Sequence, residues 1–146
     1  MNRQQIEDQL KIDEGCNLTV YLDSLGYSTV GIGHLVRLED GLKVGDTITQ
    51  EQCDAFFQSD LNTAVADCQK IFPDFDNYDD NIQGVLVNMM FNLGYSKFSK
   101  FKTFISDIKI GDHIAAAGEM VNSAWYTQVG ERAVRLKYIM ENEAIA

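Results

Sequence analysis

The stretch IDEGCNLTVYLDSLGYSTVGIGH, from Ile12 to His34, decides the fold of this chain. It begins at the end of a predicted helix over residues 3–14, which a glycine closes. Two strands rich in β-branched and aromatic residues follow, over residues 17–22 and 27–33. Residues 24–26 between them suit a three-residue hairpin loop that ends in glycine. The sequence therefore predicts a helix followed by a β-hairpin.

The remainder of the sequence has the pattern of a mainly helical protein. Residues 35–48 are predicted to form a loop or a short third strand. The sequence TQEQ, Thr49 to Gln52, is a capping box, and Pro73 ends the long helix behind it. Further helices are predicted over residues 80–93, 97–109, 112–123 and 130–142. The whole indicates an α+β domain with a small β-containing lobe near residues 15–48.

Composition and charge exclude several classes of protein. A formal net charge of −10 argues against binding to nucleic acid or to an anionic membrane, and leaves uncharged sugars, peptides or cationic partners. Cys16, Cys53 and Cys68 lack C-x-x-C spacing, so we expect three reduced thiols, two of them buried. The N-terminus is polar and no apolar run has membrane-spanning length, so we expect synthesis in a reducing cytoplasm. No metal or cofactor is expected.

Two carboxylates in the opening stretch suggest chemistry. Glu14 lies in the last turn of its helix, where the helix dipole disfavours an anion and favours a group that acts as a general acid. Asp23 lies at the hairpin loop. An acid opposite an aspartate that can hold a water is the arrangement used in glycoside hydrolysis. The alternatives are a solvated helix end for Glu14 and a turn-forming role for Asp23.

Hairpin geometry places these groups on faces of the predicted sheet. With a three-residue loop, Tyr21 pairs with Thr29, and side chains alternate between the two faces. The face predicted to be exposed carries Tyr21, Asp23, Tyr27, Thr29, Gly31 and Gly33. The face predicted to be buried carries Val20, Leu22, Val30, Ile32 and His34. Because glycine lets another group approach the backbone closely, the first face is a plausible floor for a sugar.

These residues carry a resemblance to a known family. Glu14-Gly15, then Asp23, then the run Gly26–His34 (GYSTVGIGH) resemble the signature of the phage lysozyme (endolysin) family of glycoside hydrolases. Weaker matches continue along the chain in Phe57–Asp60 and Asn88–Gly94. The last of them are Trp125-Tyr126 and the Arg132-Ala133-x-Arg135 segment.

The resemblance implies a single lysozyme-like α+β domain over residues 1–146. A small hairpin or sheet lobe over 15–48 would be joined by a bridging helix over 49–72 to a helical lobe made of 1–14 and 73–146. The implied activity is a muramidase, which hydrolyses the β-1,4 bond between N-acetylmuramic acid and N-acetylglucosamine in peptidoglycan for host lysis. The implied location is the host cytoplasm until a separate membrane pore opens, and a monomer is expected.

The resemblance also implies roles for individual residues. Glu14 would be the general acid, while Asp23 and Thr29 would hold the attacking water or stabilise positive charge on the sugar ring. The residues implied to bind substrate are Tyr21, Gly33, Leu35, Asn88, Phe91, Asn92 and Trp125. The residues implied to support the site are His34, Asp60, Arg132 and Arg135.

Some of these implied roles have structural alternatives. Arg132 resembles an arginine that pairs with the catalytic glutamate, and His34 and Asp60 resemble a structural ion pair. Arg132 could instead be a solvated surface residue, and Trp125 could be an ordinary core residue. A lytic transglycosylase and a non-catalytic wall-binding module on the same scaffold are the rival functions.

Two features depart from the family pattern. The segment between His34 and Thr49 is shorter than in some relatives, which predicts a smaller β-containing lobe. The chain is strongly acidic, whereas the cell wall that it would attack is anionic, so the two should repel each other over about 8–10 Å at moderate salt. We therefore expect activity to rise from low to moderate salt, and a steep fall would contradict this.

Overall fold

A computed structural model of the chain describes residues 1–143. The chain divides into two compact units, which are described separately. The first, Arg3–Thr63, is called the sheet unit, and the second, which begins at Ala64 and includes Met1–Asn2, is called the helical unit. The prediction of a single domain with three parts stays a prediction.

The sheet unit contains one helix, a small sheet and the start of a long helix. Its regular elements are α1 (Arg3–Glu14), β1 (Asn17–Leu22), β2 (Ser28–Gly31), β3 (His34–Leu35) and the first part of α2 (Gln50–Ile71). The strands form one antiparallel sheet in the order β1-β2-β3. The predicted bounds of α1 and β1 are correct, and the segment after Gly33 does contain the short third strand.

The hairpin has the predicted register. Tyr21 pairs with Thr29, and the backbone N–H of Asp23 donates to the carbonyl of Tyr27 over 2.8 Å. The register of β1 shifts between Asn17 and Tyr21, which marks a bulge in this strand. The loop is therefore the three-residue connection that the sequence predicts.

The predicted burial of the hairpin faces is wrong at three positions. Gly31, placed on the exposed face, is buried because Cys53 and Ile48 pack against it. Leu22 is 56% exposed because it lies at the tip of the hairpin, beside the exposed turn residues 24–27. Thr29 is only 7% exposed, although it was placed on the exposed face. It lies on the central strand with Tyr21 opposite on β1 and Leu35 opposite on β3, so a neighbouring side chain flanks it on each side.

The long helix α2 begins as its sequence predicts. The backbone N–H of Thr49 donates to Gln52 Oε1 over 2.8 Å, and the backbone N–H of Gln52 donates to Thr49 Oγ1 over 3.1 Å. This capping box satisfies two backbone donors that the first turn of a helix leaves without partners. The buried face of α2 recurs every three or four residues: Cys53, Phe57, Leu61, Ala64 and Cys68.

The helical unit contains the end of α2 and six further helices. These are α3 (Asp80–Leu93), α4 (Tyr95–Phe98), α5 (Lys102–Lys109), α6 (His113–Val121), α7 (Ala124–Val129) and α8 (Glu131–Glu143). Helix α6 packs against α5 and α8, and α3 also contacts α8. The aromatic rings of Phe72, Phe98 and Phe104 meet edge to face at the centre of this unit, with centroids 6.1 Å apart.

The predicted helices of this unit are correct in position but not in number. The segment predicted as one helix over 97–109 is divided at residues 99–101, and the short helix α7 was missed. Helix α7 has its own N-cap, because Ser123 Oγ accepts from the backbone N–H of Tyr126, and Gly130 closes it with φ 70°. Among residues 1–143, none of the helices combines the length and the apolar character needed to span a bilayer.

Candidate active site

Glu14 is placed by the end of α1 and by the backbone of the sheet. The backbone N–H of Gly15 donates to the carbonyl of Lys11 over 3.0 Å, and Gly15 adopts φ 68°, which ends the helix directly after Glu14. The Glu14 carboxylate lies against the backbone of Gly33. A Cβ atom at Gly33 would stand 2.7 Å from Glu14 Cδ and 3.0 Å from its Cγ. Residue 33 therefore has to be glycine for the carboxylate to lie where it does.

Asp23 closes the hairpin turn and is fixed by it. Its Oδ1 accepts hydrogen bonds from the backbone N–H groups of Leu25, over 2.9 Å, and Tyr27, over 2.8 Å. Asp23 is thus a turn-forming residue, as one of the alternatives at the sequence level held. Both of these bonds use Oδ1, so they orient the carboxylate without engaging Oδ2. A turn role and a chemical role are compatible in this side chain.

Tyr21 links the two carboxylates electrostatically. Its pKa is raised, first by burial and then by the negative charges of Glu14 and Asp23. Both carboxylates therefore act on the same phenol, which lies on β1 between the helix end and the hairpin turn.

Thr29 contributes a buried hydroxyl to this group of side chains. Its Oγ1 donates to the carbonyl of Tyr27 over 3.0 Å, so its lone pairs are available to accept from another donor. Its pairing with Tyr21 across the hairpin puts it on the same face of the sheet as that phenol. Leu35, opposite Thr29 on β3, is 54% exposed.

His34 supports the sheet through two aspartates and a ring. Its Nδ1 lies 2.7 Å from Asp60 Oδ2, as predicted, and its Nε2 lies 2.8 Å from Asp40 Oδ2. Phe56 on α2 stacks on the imidazole at 4.0 Å between centroids. Burial by itself would lower the pKa of His34, but the hydrogen bonds and charges of Asp60 and Asp40 outweigh it and raise the pKa. His34 thus fastens β3 to α2.

Asp40 was not predicted from the sequence. Burial would raise the pKa of this carboxyl, but the backbone N–H of Arg37 and the imidazole of His34 hold the pKa below its usual value. The residue reaches His34 because a short 3₁₀ turn, Leu38–Asp40, folds the chain back after β3. Asp40-Gly41 is a turn-forming pair of residues, but no motif in the sequence marks the contact of Asp40 with His34. Among residues 1–143, no group of three or more His, Cys, Asp or Glu side chains is arranged to hold a metal ion.

The remaining predicted site residues lie in the helical unit. Arg132 Nε donates to Asn88 Oδ1 over 2.8 Å, and Trp125 Nε1 donates to Asn92 Oδ1 over 2.8 Å. Trp125 is 4% exposed, which fits the core alternative for this residue. Phe91 and Arg135 are half-buried on α3 and α8. The predicted pairing of Arg132 with Glu14 stays a prediction.

The fold and the carboxylate-bearing hairpin define a glycoside hydrolase of the lysozyme class. The family model described as phage lysozyme matches residues 11–138. Relatives named as a lysozyme and an endolysin are 30% and 32% identical to the chain. The chain belongs to the phage lysozyme family.

Three relatives illustrate the range of proteins in which this sequence pattern occurs. The chain is 30% identical over 159 aligned positions to a probable T4-type lysozyme 2 of Dictyostelium discoideum, with 93% of each chain covered. It is 32% identical over 114 positions to an endolysin of Acyrthosiphon pisum secondary endosymbiont phage 1, covering 77% of this chain and 72% of that protein. It is 30% identical over 154 positions to the pre-baseplate central spike protein Gp5 of Enterobacteria phage T4, covering 91% of this chain but 27% of that protein.

Proposed function

We propose that this lysozyme is an endolysin muramidase, which hydrolyses the β-1,4 bond between N-acetylmuramic acid and N-acetylglucosamine in peptidoglycan. The observation that carries the proposal is that the Glu14 carboxyl group lies against Gly33 and that Asp23 closes the hairpin of the same small sheet, within one unit of the chain. The names of two relatives, a probable T4-type lysozyme and an endolysin, support the role of a lysozyme.

In the proposed reaction Glu14 acts as the general acid. Its proton passes to the glycosidic oxygen as the bond from that oxygen to the anomeric carbon breaks. The backbone of Gly33 holds the carboxyl group in place, which reduces the number of orientations from which the proton could be delivered.

Asp23 and Thr29 are proposed to hold the attacking water. The water would donate one hydrogen to Asp23 Oδ2 and one to Thr29 Oγ1, which already uses its own proton on the Tyr27 carbonyl. The water oxygen then bonds to the anomeric carbon while Asp23 takes up the released proton. The turn bonds to Asp23 Oδ1 fix the direction from which the water attacks. Stabilisation of positive charge on the ring by Asp23 is the alternative role.

Other residues are proposed to bind the glycan or support the site. Tyr21, Leu35, Asn88, Phe91 and Asn92 would bind substrate, with Trp125 acting mainly by holding Asn92. His34, Asp60, Arg132 and Arg135 would maintain the positions of these groups. The enzyme would act as a monomer on the cell wall after a separate membrane pore lets it out of the host cytoplasm.

Two aspartates allow a matched test of the proposal. Asp23 and Asp46 both lie in turns of the sheet unit, and Asp46 Oδ2 accepts from the backbone N–H of Lys43 over 2.9 Å. Asparagine can accept the same turn bonds, so neither substitution removes the turn. We expect Asp23→Asn to lower the release of soluble saccharide from purified peptidoglycan by about 10²–10⁴-fold, and Asp46→Asn to leave it within about twofold.

Mass spectrometry of the digest distinguishes the proposal from its rivals. Free reducing ends on N-acetylmuramic acid would support hydrolysis of the proposed bond, whereas 1,6-anhydro ends would identify a lytic transglycosylase. Binding of wall fragments without any released saccharide would identify a non-catalytic module. Equal activity of Asp23→Asn and Asp46→Asn would contradict the role given to Asp23.

A further inference from the structure

A pair of thiols lies next to the end of α1 and is not used by the proposed reaction. Cys16 is exposed and follows Glu14 by two residues, while Cys53 is fully buried in the first turn of α2. Their sulfur atoms are 3.7 Å apart. Both residues belong to the sheet unit, and Cys68, the third cysteine, belongs to the helical unit.

Cys53 is held in place on the side of the sheet. A Cβ atom at Gly31 would stand 3.2 Å from Cys53 Sγ, so the backbone of β2 leaves little room for this sulfur to rotate away. Its neighbour Cys16, by contrast, lies on the surface. A disulfide needs the two sulfur atoms at about 2.05 Å, so the 3.7 Å between Cys16 Sγ and Cys53 Sγ has to shorten by about 1.6 Å.

The two thiols differ in reactivity. Burial, followed by the hydrogen bond and charge of Cys16, raises the pKa of Cys53 to about 11. A thiol with so high a pKa forms little thiolate at neutral pH and is a poor first nucleophile. Reaction with a dissolved disulfide would therefore start at the exposed Cys16, and Cys53 would act second, as the resolving thiol.

We propose that Cys16 and Cys53 are a redox-sensitive pair, which closes to an intramolecular disulfide when the chain meets a small-molecule disulfide in an oxidising compartment. The Cys16 thiolate attacks the small disulfide, forms a mixed disulfide and releases one thiol. The sulfur of Cys53 gives up its proton and attacks Cys16 Sγ, which releases the second thiol. Two protein thiols are oxidised, one small disulfide is reduced, and the atoms and electrons balance.

The new bond fastens the end of α1 to the start of α2. Its two cysteines are 37 residues apart, and the loop that it closes contains the whole sheet with Asp23 and Thr29. A cross-link over a loop of this length stabilises a protein mainly by restricting its unfolded chain. The disulfide would thus make the sheet unit more resistant to heat in an oxidising compartment. This inference does not depend on the catalytic roles proposed above.

The test compares reduced and oxidised protein in glutathione buffers. After incubation with oxidised glutathione and removal of excess reagent, we expect the full chain to lose two hydrogen atoms in mass without gaining glutathione. We expect its Tm to rise by about 5–10 °C over the reduced form. Dithiothreitol should restore both the mass and the Tm.

Two variants make the assignment specific. Digestion with trypsin leaves Cys53 and Cys68 on the same peptide, residues 44–70, so the disulfide is mapped in Cys68→Ser. In this variant only a bond from Cys16 to Cys53 can join that peptide to residues 12–37. Cys68→Ser should keep the oxidation-dependent rise in Tm, and the surface substitution Cys16→Ser should abolish it. A stable glutathione adduct on Cys16, a bond that involves Cys68, or no rise in Tm on oxidation would each overturn the proposal.

Discussion

The sheet unit and the helical unit use their residues in different ways. The sheet unit carries eleven acidic and four basic side chains, a net charge of −7, whereas the helical unit carries eleven acidic and eight basic, a net charge of −3. Among the described residues, nine hydrophobic side chains are buried in the sheet unit and twenty in the helical unit. Most of the buried apolar surface, and so most of the hydrophobic stabilisation, lies in the helical unit.

The sheet unit contains several positions at which local rules are broken, although buried polar side chains also occur in the helical unit at Gln83 and Asn88. Glu14 stands at the unfavourable end of a helix, Thr29 and His34 are buried polar residues, and Gly33 has φ 65° against a carboxylate. Exceptions of this kind are expected at functional sites, since they are retained only when something compensates their cost. We infer that the sheet unit supplies the side chains proposed to donate the proton and to hold the water, and that the helical unit supplies most of the buried apolar surface.

The largest effect on stability is expected from the helical unit. Phe98 is fully buried and meets Phe72 and Phe104 edge to face. We expect Phe98→Ala to cost about 3–5 kcal/mol, because it removes this ring and leaves a cavity. Thermal and denaturant unfolding would measure the loss. Activity per folded molecule should stay within about twofold of wild type at a temperature where the variant is folded.

Leu38→Ala, at a side chain 98% exposed, is the control and should change little. A loss of activity per folded molecule well beyond twofold in Phe98→Ala would contradict the view that this residue acts only on stability.

A smaller effect on stability, joined to a loss of activity, is expected at Gly33. Gly33 and Gly41 have nearly the same φ, 65° and 67°, but a Cβ atom meets the Glu14 carboxyl group only at Gly33 and meets nothing within 4 Å at Gly41. Both alanine variants should lose about 1–2 kcal/mol from the strained backbone. Only Gly33→Ala should also lose activity, by about tenfold or more, because the carboxyl group must move. Equal activity of Gly33→Ala and Gly41→Ala would show that the contact between Gly33 and the Glu14 carboxyl group does not affect activity.

The smallest effect is a pH dependence of stability centred on His34. Because the pKa of His34 is raised on folding, its contribution is fully present below the unfolded value of 6.5 and is lost as pH rises through the folded pKa. Because the pKa of Asp40 is lowered, its contribution is present above 3.8 and is lost as pH falls through the folded pKa. We therefore expect the Tm to be higher at about pH 5.5 than at about pH 8.

Substitution of Asp40 tests the origin of that dependence. Asp40→Asn keeps an acceptor for His34 and for the Arg37 N–H but removes the charge that favours the imidazolium. The difference in Tm between the two pH values should shrink in Asp40→Asn and stay unchanged in Glu39→Gln, at an exposed neighbour. Identical profiles for Asp40→Asn and wild type would show that the pH dependence arises elsewhere.

Much of the fold could be predicted because strong local signals set it. The glycine after Glu14, the three-residue hairpin loop and the capping box at Thr49 each fix an element boundary through backbone hydrogen bonds within a few residues. The errors occur where such signals are short. Helix α7 has six residues, too few for a hydrophobic period to be recognised.

The candidate site was predictable only in part, for a different reason. The spacing of Glu14, Asp23 and Thr29 is a property of the sequence, and so is the resemblance that assigns their roles. The second partner of His34 depends on how a turn folds back after β3, and the contact between Cys16 and Cys53 depends on how α2 packs in the sheet unit. Contacts between residues far apart in sequence leave no local pattern, so the sequence predicted neither of them.

The central claim is that Glu14 supplies the proton for bond cleavage. The most direct measurement compares Glu14→Gln with Asp8→Asn, a change of the same kind at an exposed carboxylate on the same helix. Release of saccharide from purified peptidoglycan and the Tm are measured on the same samples. We predict that Glu14→Gln loses about 10³-fold or more in specific activity, while Asp8→Asn keeps the wild-type activity. A loss of less than about tenfold in Glu14→Gln would contradict the account.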